Sequence, residues 1–406
     1  MLTQEQILNN IAENIHYFEV RTDADDPWGE RDIMKLSIGC TLRFHNGHKP
    51  EIRALMPQLV KSFYDQFGQY FTGGYMVNKE SQKIKTGKLT PKLLEKCFKP
   101  ETWQNIEEPI NLNFGNPDPD ATTGNQFSIW LGDEYTRWDY LSTIRMVIYY
   151  ENFETIKLWH TFIKQVCQTI PVHSGYGGYL SSLPSQWYSY QEHQTPIAYR
   201  FYGCEIDDGL DVPINFPPLG IKGINWLTIL GPAFIEQMGG VDKLSQEATA
   251  LDLGVEHAGE NLILQAGPYP DICDKQILPM NPYYVAANHL LKPIRKTTIG
   301  SLHMDSMTGK AVLDTAASDE WLRRFDQYPL SNATTSQPAP NRYTGRTLRV
   351  GETCTSTGWY EALHLNNRRE HFTVGQVIEG EPISAHGQPI VWYELTPEAA
   401  QQYLKR

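Results

Sequence analysis

The feature that most constrains the fold is a strict alternation of apolar and polar residues over residues 34–44. The apolar positions are Met34, Leu36, Ile38, Cys40, Leu42 and Phe44. Because successive side chains of a β-strand point to opposite faces, this pattern predicts a half-buried strand. A turn follows, and then a helical pattern with Ile52, Leu55, Met56, Leu59, Phe63 and Phe67 on one side. The chain therefore needs a sheet with at least one amphipathic helix packed against it.

A similar strand, turn and helix return about a hundred residues later. Residues 144–150 alternate, and a helical pattern follows with Ile156, Trp159, Ile163, Val166 and Ile170. This order raises the hypothesis of a duplicated βα unit. Two further strands are predicted at residues 110–114 and 126–131, and Thr3 with Gln6 forms the sequence signature of a capping box. The predicted class is α+β, with mixed sheets and amphipathic helices on one face.

Composition divides the chain near its C-terminus. Residues 329–341 are poor in apolar side chains and rich in Ser, Thr and Pro, which is typical of a linker. The division predicts an α+β domain over residues 1–328 and a small, mostly β module over residues 342–406. Such a short module would depend on aromatic packing, for which Trp359, Tyr360 and Trp392 are available.

Two stretches rich in Gly, Pro and Trp are predicted to be structural. Residues 225–240, NWLTILGPAFIEQMGG, predict a short strand, a turn and a helix of about two turns. Proline is tolerated best in the first helical turn, and glycine favours the helix end. Residues 264–274, LQAGPYPDICD, predict a fixed loop. The structural residues of the two stretches are Trp226, Gly231, Pro232, Gly239, Gly240, Gly267 and Pro268.

The charge of the chain disfavours a nucleic-acid-binding role. Over 406 residues the formal net charge is -12, whereas nucleic-acid binding needs clustered Lys and Arg. Two segments concentrate the acids and could attract a basic partner over a long range. The alternative is an ordinary solvated surface. The candidate partner-binding residues are Asp23, Asp25, Asp26, Trp28 and Glu30 in the first segment, and Glu205, Asp207, Asp208 and Asp211 in the second.

No motif of a catalytic or metal site is found in the sequence. The histidines do not form HExxH or a zinc pattern, and GxSxG is absent. The six cysteines are scattered without CxxC, which favours reduced, buried thiols. Cys354 is a candidate reactive thiol, or a small packed residue beside Trp359. We therefore predict no catalytic residue, no cofactor and no metal. No signal-peptide pattern or apolar run of membrane length is visible, so a cytoplasmic location is expected.

The two structural stretches, together with residues 282–294 (PYYVAANHLLKPI), resemble a bacterial family of type VI secretion immunity proteins. Members of this family guard notably against VRR-Nuc nuclease effectors. The resemblance covers roughly residues 34–294. Residues 351–360 also resemble a short module with the pattern GExCPxxGxW, which other polymorphic-toxin immunity proteins carry, although Thr355 replaces its proline and Tyr360 its tryptophan.

The resemblance implies a non-catalytic protein that binds a cognate antibacterial nuclease and blocks its active or DNA-binding site. The implied partner is a toxic effector protein of the VRR-Nuc type. Two alternatives remain open from the residues. One is an adaptor or chaperone that loads an effector without inhibiting it. The other is a hydrolase whose site is assembled from residues far apart in the sequence.

Overall fold

The computed structural model describes residues 3–23, 29–77, 87–134, 141–150, 153–184, 190–206, 220–304, 310–330, 343–362, 368–379, 391–395, 397 and 400. The chain forms two compact units. The first comprises Met1–Asp274 with Asn281–Leu330, and the second comprises Lys275–Met280 with Ser331–Arg406. The predicted linker over residues 329–341 falls almost wholly on residues that are not described, so the predicted domain boundaries stay a proposal.

The α+β class is confirmed. The helices are α1 Gln4–Asn14, α2 Pro50–Arg53, α3 Met56–Phe67, α4 Pro91–Phe98, α5 Phe153–Thr169, α6 Thr195–Arg200, α7 Pro232–Gln237, α8 Val241–Ala250, α9 Pro282–Leu291 and α10 Thr315–Leu322. The strands of the first unit are β1 Val20–Arg21, β2 Asp32–Phe44, β3 Gly73–Val77, β4 Gly87–Lys88, β5 Ile110–Gly115, β6 Gln126–Leu131, β7 Ser142–Tyr149, β8 Ser174–Ser182, β9 Leu227–Leu230, β10 Gly254–Ala258, β11 Asn261–Gln265, β12 His303–Met304 and β13 Ala311–Leu313. The capping box of α1 is formed as predicted.

An 11-stranded sheet organises the first unit, in the order β10-β11-β9-β8-β2-β7-β6-β5-β3-β4, with β1 paired to β2. The pairs between its described strands are antiparallel, which corrects the expectation of mixed sheets. Parallel pairing is limited, within the described residues, to isolated bridges such as Leu180 with Glu205. Hairpins or short connections join β5 to β6, β6 to β7 and β10 to β11, and such connections make neighbouring strands antiparallel.

Strand β2 is buried on both faces, so the prediction of a half-buried strand was wrong. Its polar side chains Ser37 and Thr41 are 0% and 8% exposed. On one face, Phe63 of α3 stacks on Phe127 of β6 at 3.9 Å between ring centroids, and α5 packs beside α3. The opposite face is covered too, because Lys222 Nζ lies 5.0 Å from the Tyr176 ring of β8 and 5.5 Å from the ring of Trp321 in α10. Helices therefore cover both faces rather than one.

The strands of the two similar βα pairs, β2–α3 and β7–α5, are neighbours in the sheet, but the chain continues differently after the two helices. Strands β2 and β7 are antiparallel neighbours at the centre of the sheet. After α3 the chain continues to β3, near one edge, whereas after α5 it continues to β8, directly beside β2. A duplicated unit would repeat the same order of strands on each side. The hypothesis is therefore limited to the βα pair itself.

A buried arginine fastens the turn after β2 to two other loops. Arg53 is 1% exposed and donates hydrogen bonds to the backbone carbonyls of Gly47, Asn105, Glu108 and Gly132. These carbonyls belong to segments far apart in the sequence. One side chain thus satisfies polar groups that have no water in the interior. Burial lowers the pKa of the Arg53 guanidinium.

The end of the first unit is held by one carboxylate. Asp326 accepts two hydrogen bonds from Arg295, each 2.7 Å long, and one of 2.8 Å from Asn288, while Lys292 Nζ lies 3.2 Å away. The hydrogen bonds from Arg295 hold the pKa of Asp326 well below its ordinary value of 3.8. Partial burial opposes this shift, whereas Asn288 and Lys292 add to it. The folded carboxylate is therefore stabilised in its charged form.

The stability of the protein is expected to fall in acid partly through Asp326. A folded pKa below the unfolded one contributes stability that is complete above about pH 4 and is lost as the pH falls through the folded pKa. Asp326→Asn should cost roughly 2 kcal/mol at neutral pH and flatten this acid limb. Urea unfolding followed from pH 7 to pH 2 measures both. An unchanged acid limb in the variant would show that other carboxylates cause it.

The second unit contains a four-stranded antiparallel sheet in the order β14-β17-β15-β16. Its strands are β14 Tyr343–Arg349, β15 Gly358–Ala362, β16 Arg368–Phe372 and β17 Val391–Leu395. Its core is the cluster of Leu348, Cys354, Tyr360, Phe372, Ile378 and Trp392. The aromatic packing expected of a small module is present, with Phe372 and Trp392 edge to face at 5.0 Å.

Candidate functional site and family

The first acidic segment is partly neutralised by its own neighbours. Asp23 is exposed. Glu30 forms an ion pair with Arg21 at 3.1 Å, and Arg21 also binds Asp32. Asp25, Asp26 and Trp28 lie outside the described residues. The carboxylate of Glu30 is therefore already compensated within the chain.

Glu205 does not belong to an exposed acidic loop, which corrects its place among the candidate contact residues. It is 3% exposed, and its carboxylate lies 2.7 Å from Lys222 Nζ and accepts a 3.2 Å hydrogen bond from Asn225. Asp207, Asp208 and Asp211 fall outside the described residues. The sequence groups Glu205 with these neighbours because a run of acids does not reveal which member turns inward.

This buried ion pair belongs to a polar network beneath residues 225–240. Arg324 donates to the carbonyls of Tyr202 at 2.6 Å and Ile224 at 3.0 Å, and its guanidinium lies 3.9 Å from the Trp321 ring centroid. Burial lowers the pKa of Arg324 to about 10, with Glu205 opposing the change. Glu205 thus balances two buried cations, which makes the network a structural element rather than a contact surface.

Residues 225–240 fold as a strand, a turn and a helix. Trp226 is buried, donates its indole N–H to the carbonyl of Gly267 at 3.0 Å, and lies parallel to Trp159 of α5 at 6.5 Å. Gly267 has φ +88°, and a Cβ there would lie 2.6 Å from the Tyr283 ring. The two structural stretches are therefore joined by one hydrogen bond. Pro268 is exposed beside them.

Glycine is required at position 231 by a close approach of two backbones. A Cβ at this position would lie 1.9 Å from the carbonyl oxygen of Val172, and the Gly231 N–H donates to the carbonyl of His173 at 3.1 Å. Pro232 then begins α7, as the sequence predicts. Gly239 and Gly240, with φ +95° and +94°, separate α7 from α8 in a conformation that L side chains rarely adopt.

Gly231→Ala is expected to lower the free energy of unfolding by about 1–3 kcal/mol, because the methyl group forces the two backbones apart. Gly87→Ala is the matched control, since a Cβ at Gly87 meets nothing within 4 Å. Chemical unfolding of both variants measures the difference. Equal stability of the two would mean that the turn adjusts without cost.

A groove with a volume of about 570 Å³ opens beside this turn. It is lined by Pro232, Ile235, Glu236, Gly240, Val241, His257, Gly259, Glu260 and Asn261. These residues come from α7, from the start of α8 and from the turn of the β10–β11 hairpin. Glu236, His257 and Glu260 are exposed. Neither Glu236 nor Glu260 has an ion-pair partner in the part of the chain that the structure describes.

The hairpin wall of the groove is fastened to the end of α5. Asn261 is 3% exposed, accepts a hydrogen bond from the N–H of Val172 at 3.1 Å, and donates to the carbonyls of Cys167 and Ile170. Gly259 has φ +63°, and a Cβ there would lie 2.9 Å from the carbonyl oxygen of Gln168. The groove is therefore shaped before any partner arrives.

Sequence reasoning missed the groove-lining Glu236, His257 and Glu260, and also Arg53. The signal for the hairpin was present in residues 258–261, AGEN, because Gly followed by a polar residue just ahead of the apolar run 262–264 is typical of a hairpin turn. No pattern in the sequence places that turn beside α7, which depends on the long-range hydrogen bonds of Asn261.

Potential metal ligands are scattered among the described residues, and the candidate thiol Cys354 is buried. Among them no group of three or more His, Cys, Asp or Glu side chains could hold a metal ion. All six cysteines are free and buried, and burial raises the pKa of Cys97 and Cys167 to about 12. Cys354 donates to the carbonyl of Ser356 at 2.9 Å and packs in the core of the second unit. Ser356 and Tyr360 share a hydrogen bond of 2.7 Å, beside Glu394 rather than a histidine.

No helix in the described part of the chain combines the length and the apolar character that a membrane crossing needs.

A Pseudomonas aeruginosa T6SS protein, PA0821, has a similar structure, with a TM-score of 0.66 and 21% sequence identity. The similarity covers 83% of this chain and 99% of that chain. At this identity it shows a shared fold. No curated protein matches the chain.

The TsiV family model, described as type VI immunity for VRR-NUC, matches residues 127–325. The match includes the central strand β7, the buried network around Glu205, the turn at Gly231 and every residue that lines the groove. Over residues 127–325, just under half of its length, the chain is therefore similar to the family of type VI immunity proteins for VRR-NUC.

Proposed function

We propose that the chain binds the cognate VRR-NUC nuclease effector of a type VI secretion system and blocks its active or DNA-binding surface. The family match over residues 127–325 carries this proposal. The net charge of -12 supports it, because a nuclease presents a positive surface to the phosphate backbone. An acidic binding partner would compete with DNA for that surface.

Inhibition by binding alone requires no turnover from this chain. The candidate thiol Cys354 is buried, and the hydroxyl of Ser356 has Tyr360 and Glu394 as its partners. Neither arrangement provides the nucleophile, base and orienting group that hydrolysis needs. We place the chain in the cytoplasm, where its free thiols would stay reduced and where an effector that cleaves DNA would act.

Co-expression tests the function directly. Cells that produce the cognate VRR-NUC nuclease, to be sought among the reading frames next to this chain's gene, should survive when the chain is also produced and should die without it. Purified chain should suppress DNA cleavage at a ratio near one inhibitor per nuclease. An adaptor would bind the nuclease and leave cleavage intact, whereas a hydrolase would protect at a ratio far below one.

The absence of turnover is tested with Cys354→Ser. Protection by this variant should equal that of the wild-type chain, because the thiol packs and does not react. Loss of protection in a variant with an unchanged melting temperature would instead indicate a chemical role for the thiol.

A further inference from the structure

One wall of the groove beside α7 is built by residues on which the family resemblance rests. Pro232, Ile235, Glu236 and Gly240 belong to residues 225–240, and the remaining lining residues follow within residues 241–261. The whole groove therefore lies inside the region matched by the immunity family. The buried half of the motif fixes the sheet, while its exposed half forms one wall of the groove.

Hydrogen bonds fix both walls of the groove. At the start of α7 the N–H of Gly231 donates to the carbonyl of His173, and Asn261 holds the hairpin against the end of α5. A binding surface that is ordered in advance does not lose further backbone entropy when the partner docks. Rigid walls are typical of surfaces that bind their partners tightly.

The chemistry of the groove combines an apolar strip with an acidic rim. Pro232, Ile235 and Val241 supply the apolar surface, and Val241 is 37% exposed. Glu236 and Glu260 supply the rim and have no ion-pair partner among the described residues. Gly240 adds open space, since a Cβ there meets nothing within 4 Å. A complementary surface would carry Lys or Arg around an apolar side chain.

We propose that this groove receives a basic surface segment of the VRR-NUC nuclease, with an apolar side chain of that segment against Val241 and Lys or Arg side chains against Glu236 and Glu260. The inference rests on the proposed function and adds the surface that performs it. The two acidic segments noted in the sequence are weaker candidates, because among their described acids Glu30 is paired with Arg21, Glu205 is buried, and Asp23 is a single exposed carboxylate.

The charge contribution is tested by reversing the rim. The double variant Glu236→Lys with Glu260→Lys is compared with a control double variant, Glu13→Lys with Glu107→Lys. Glu13 and Glu107 are exposed and lie outside the matched region, and the control has the same change of charge. The probe is the cognate VRR-NUC nuclease, identified by a search of the reading frames next to this chain's gene and carrying a substitution that abolishes cleavage. The rim variant should associate at least about tenfold more slowly at low salt, and the control should change by less than about twofold.

The apolar contribution is tested by filling the groove. Val241→Trp leaves the charge unchanged and should raise the dissociation rate by about tenfold or more at every salt concentration, because dissociation reports the packed centre of an interface. Leu158→Trp, on the exposed face of α5, is the matched control. Melting temperatures of all four variants must stay near that of the wild-type chain.

The outcomes separate the surface from the function. If the wild-type chain binds the nuclease and both groove variants bind with unchanged rates, the groove is not the contact surface and the proposed function stands. If the wild-type chain neither binds the nuclease nor suppresses its cleavage, the proposed function fails and the groove assignment fails with it.

Discussion

Replacing Lys222 by methionine is expected to lower the free energy of unfolding by about 3–5 kcal/mol. Methionine has a similar volume, so packing against Tyr176 and Trp321 is largely kept. What is lost is the charge that lies 2.7 Å from the buried Glu205 carboxylate, and the hydrogen bond from Lys222 to the carbonyl of Ile206. Arg324 compensates only in part, because its hydrogen bonds go to backbone carbonyls.

The cause is identified by removing both charges together. Lys222→Met with Glu205→Leu should recover much of the lost stability, because an apolar pair replaces an uncompensated carboxylate. Lys243→Met is the control, since its ammonium is exposed and lies 3.8 Å from Glu247, where a pair contributes at most about 1 kcal/mol. Urea unfolding at pH 7 measures all three variants. A double variant less stable than Lys222→Met would contradict the charge argument.

Replacing Arg53 by methionine is expected to cost at least about 3 kcal/mol, since four buried carbonyls lose a charged donor together. The loss should appear as loosening of the loops near residues 47, 105–108 and 132, which hydrogen exchange can follow. The stability of Arg53→Lys should lie between those of the wild-type chain and Arg53→Met, because one ammonium cannot replace a guanidinium that reaches several carbonyls at once.

Exposed Arg21, whose side chain is 63% exposed, gives the control for loss of an arginine. Arg21→Met should change stability by less than about 1 kcal/mol, because exposed ion pairs contribute little. If Arg53→Met lowered stability as little as Arg21→Met, the three segments would be held together without the arginine, and the role assigned to Arg53 would be wrong.

The elements of this fold follow from local patterns that the sequence displays. Alternation over residues 34–44 predicts β2, and helical spacing from Ile156 to Ile170 predicts α5. The burial of β2 on both faces could not be predicted, because its second cover comes from α10 and residues near Lys222. These lie far along the chain, and their contact with β8 depends on the fold as a whole.

The candidate site divides in the same way. Trp226, Gly231 and Pro232 could be assigned to a strand, turn and helix because their conformational preferences are local. The groove could not be found, because its second wall comes from the β10–β11 hairpin. Glu205 shows the converse problem, since its carboxylate points inward to a lysine that follows it in the chain by seventeen positions. Charge runs predict a surface, whereas burial is decided by distant partners.

The position of β2 at the centre of the sheet has a consequence for biosynthesis. Apart from the two-residue β1, its neighbours are β7 and β8, which begin only at Ser142 and Ser174, so β2 leaves the ribosome long before either exists. At about 5–20 residues per second, the nascent chain carries a long strand with both edges largely open for many seconds. We expect this interval to be covered by chaperones. The proposed immunity would then begin only after β7 and β8 have been made and have paired with β2, so translation must precede any incoming toxin.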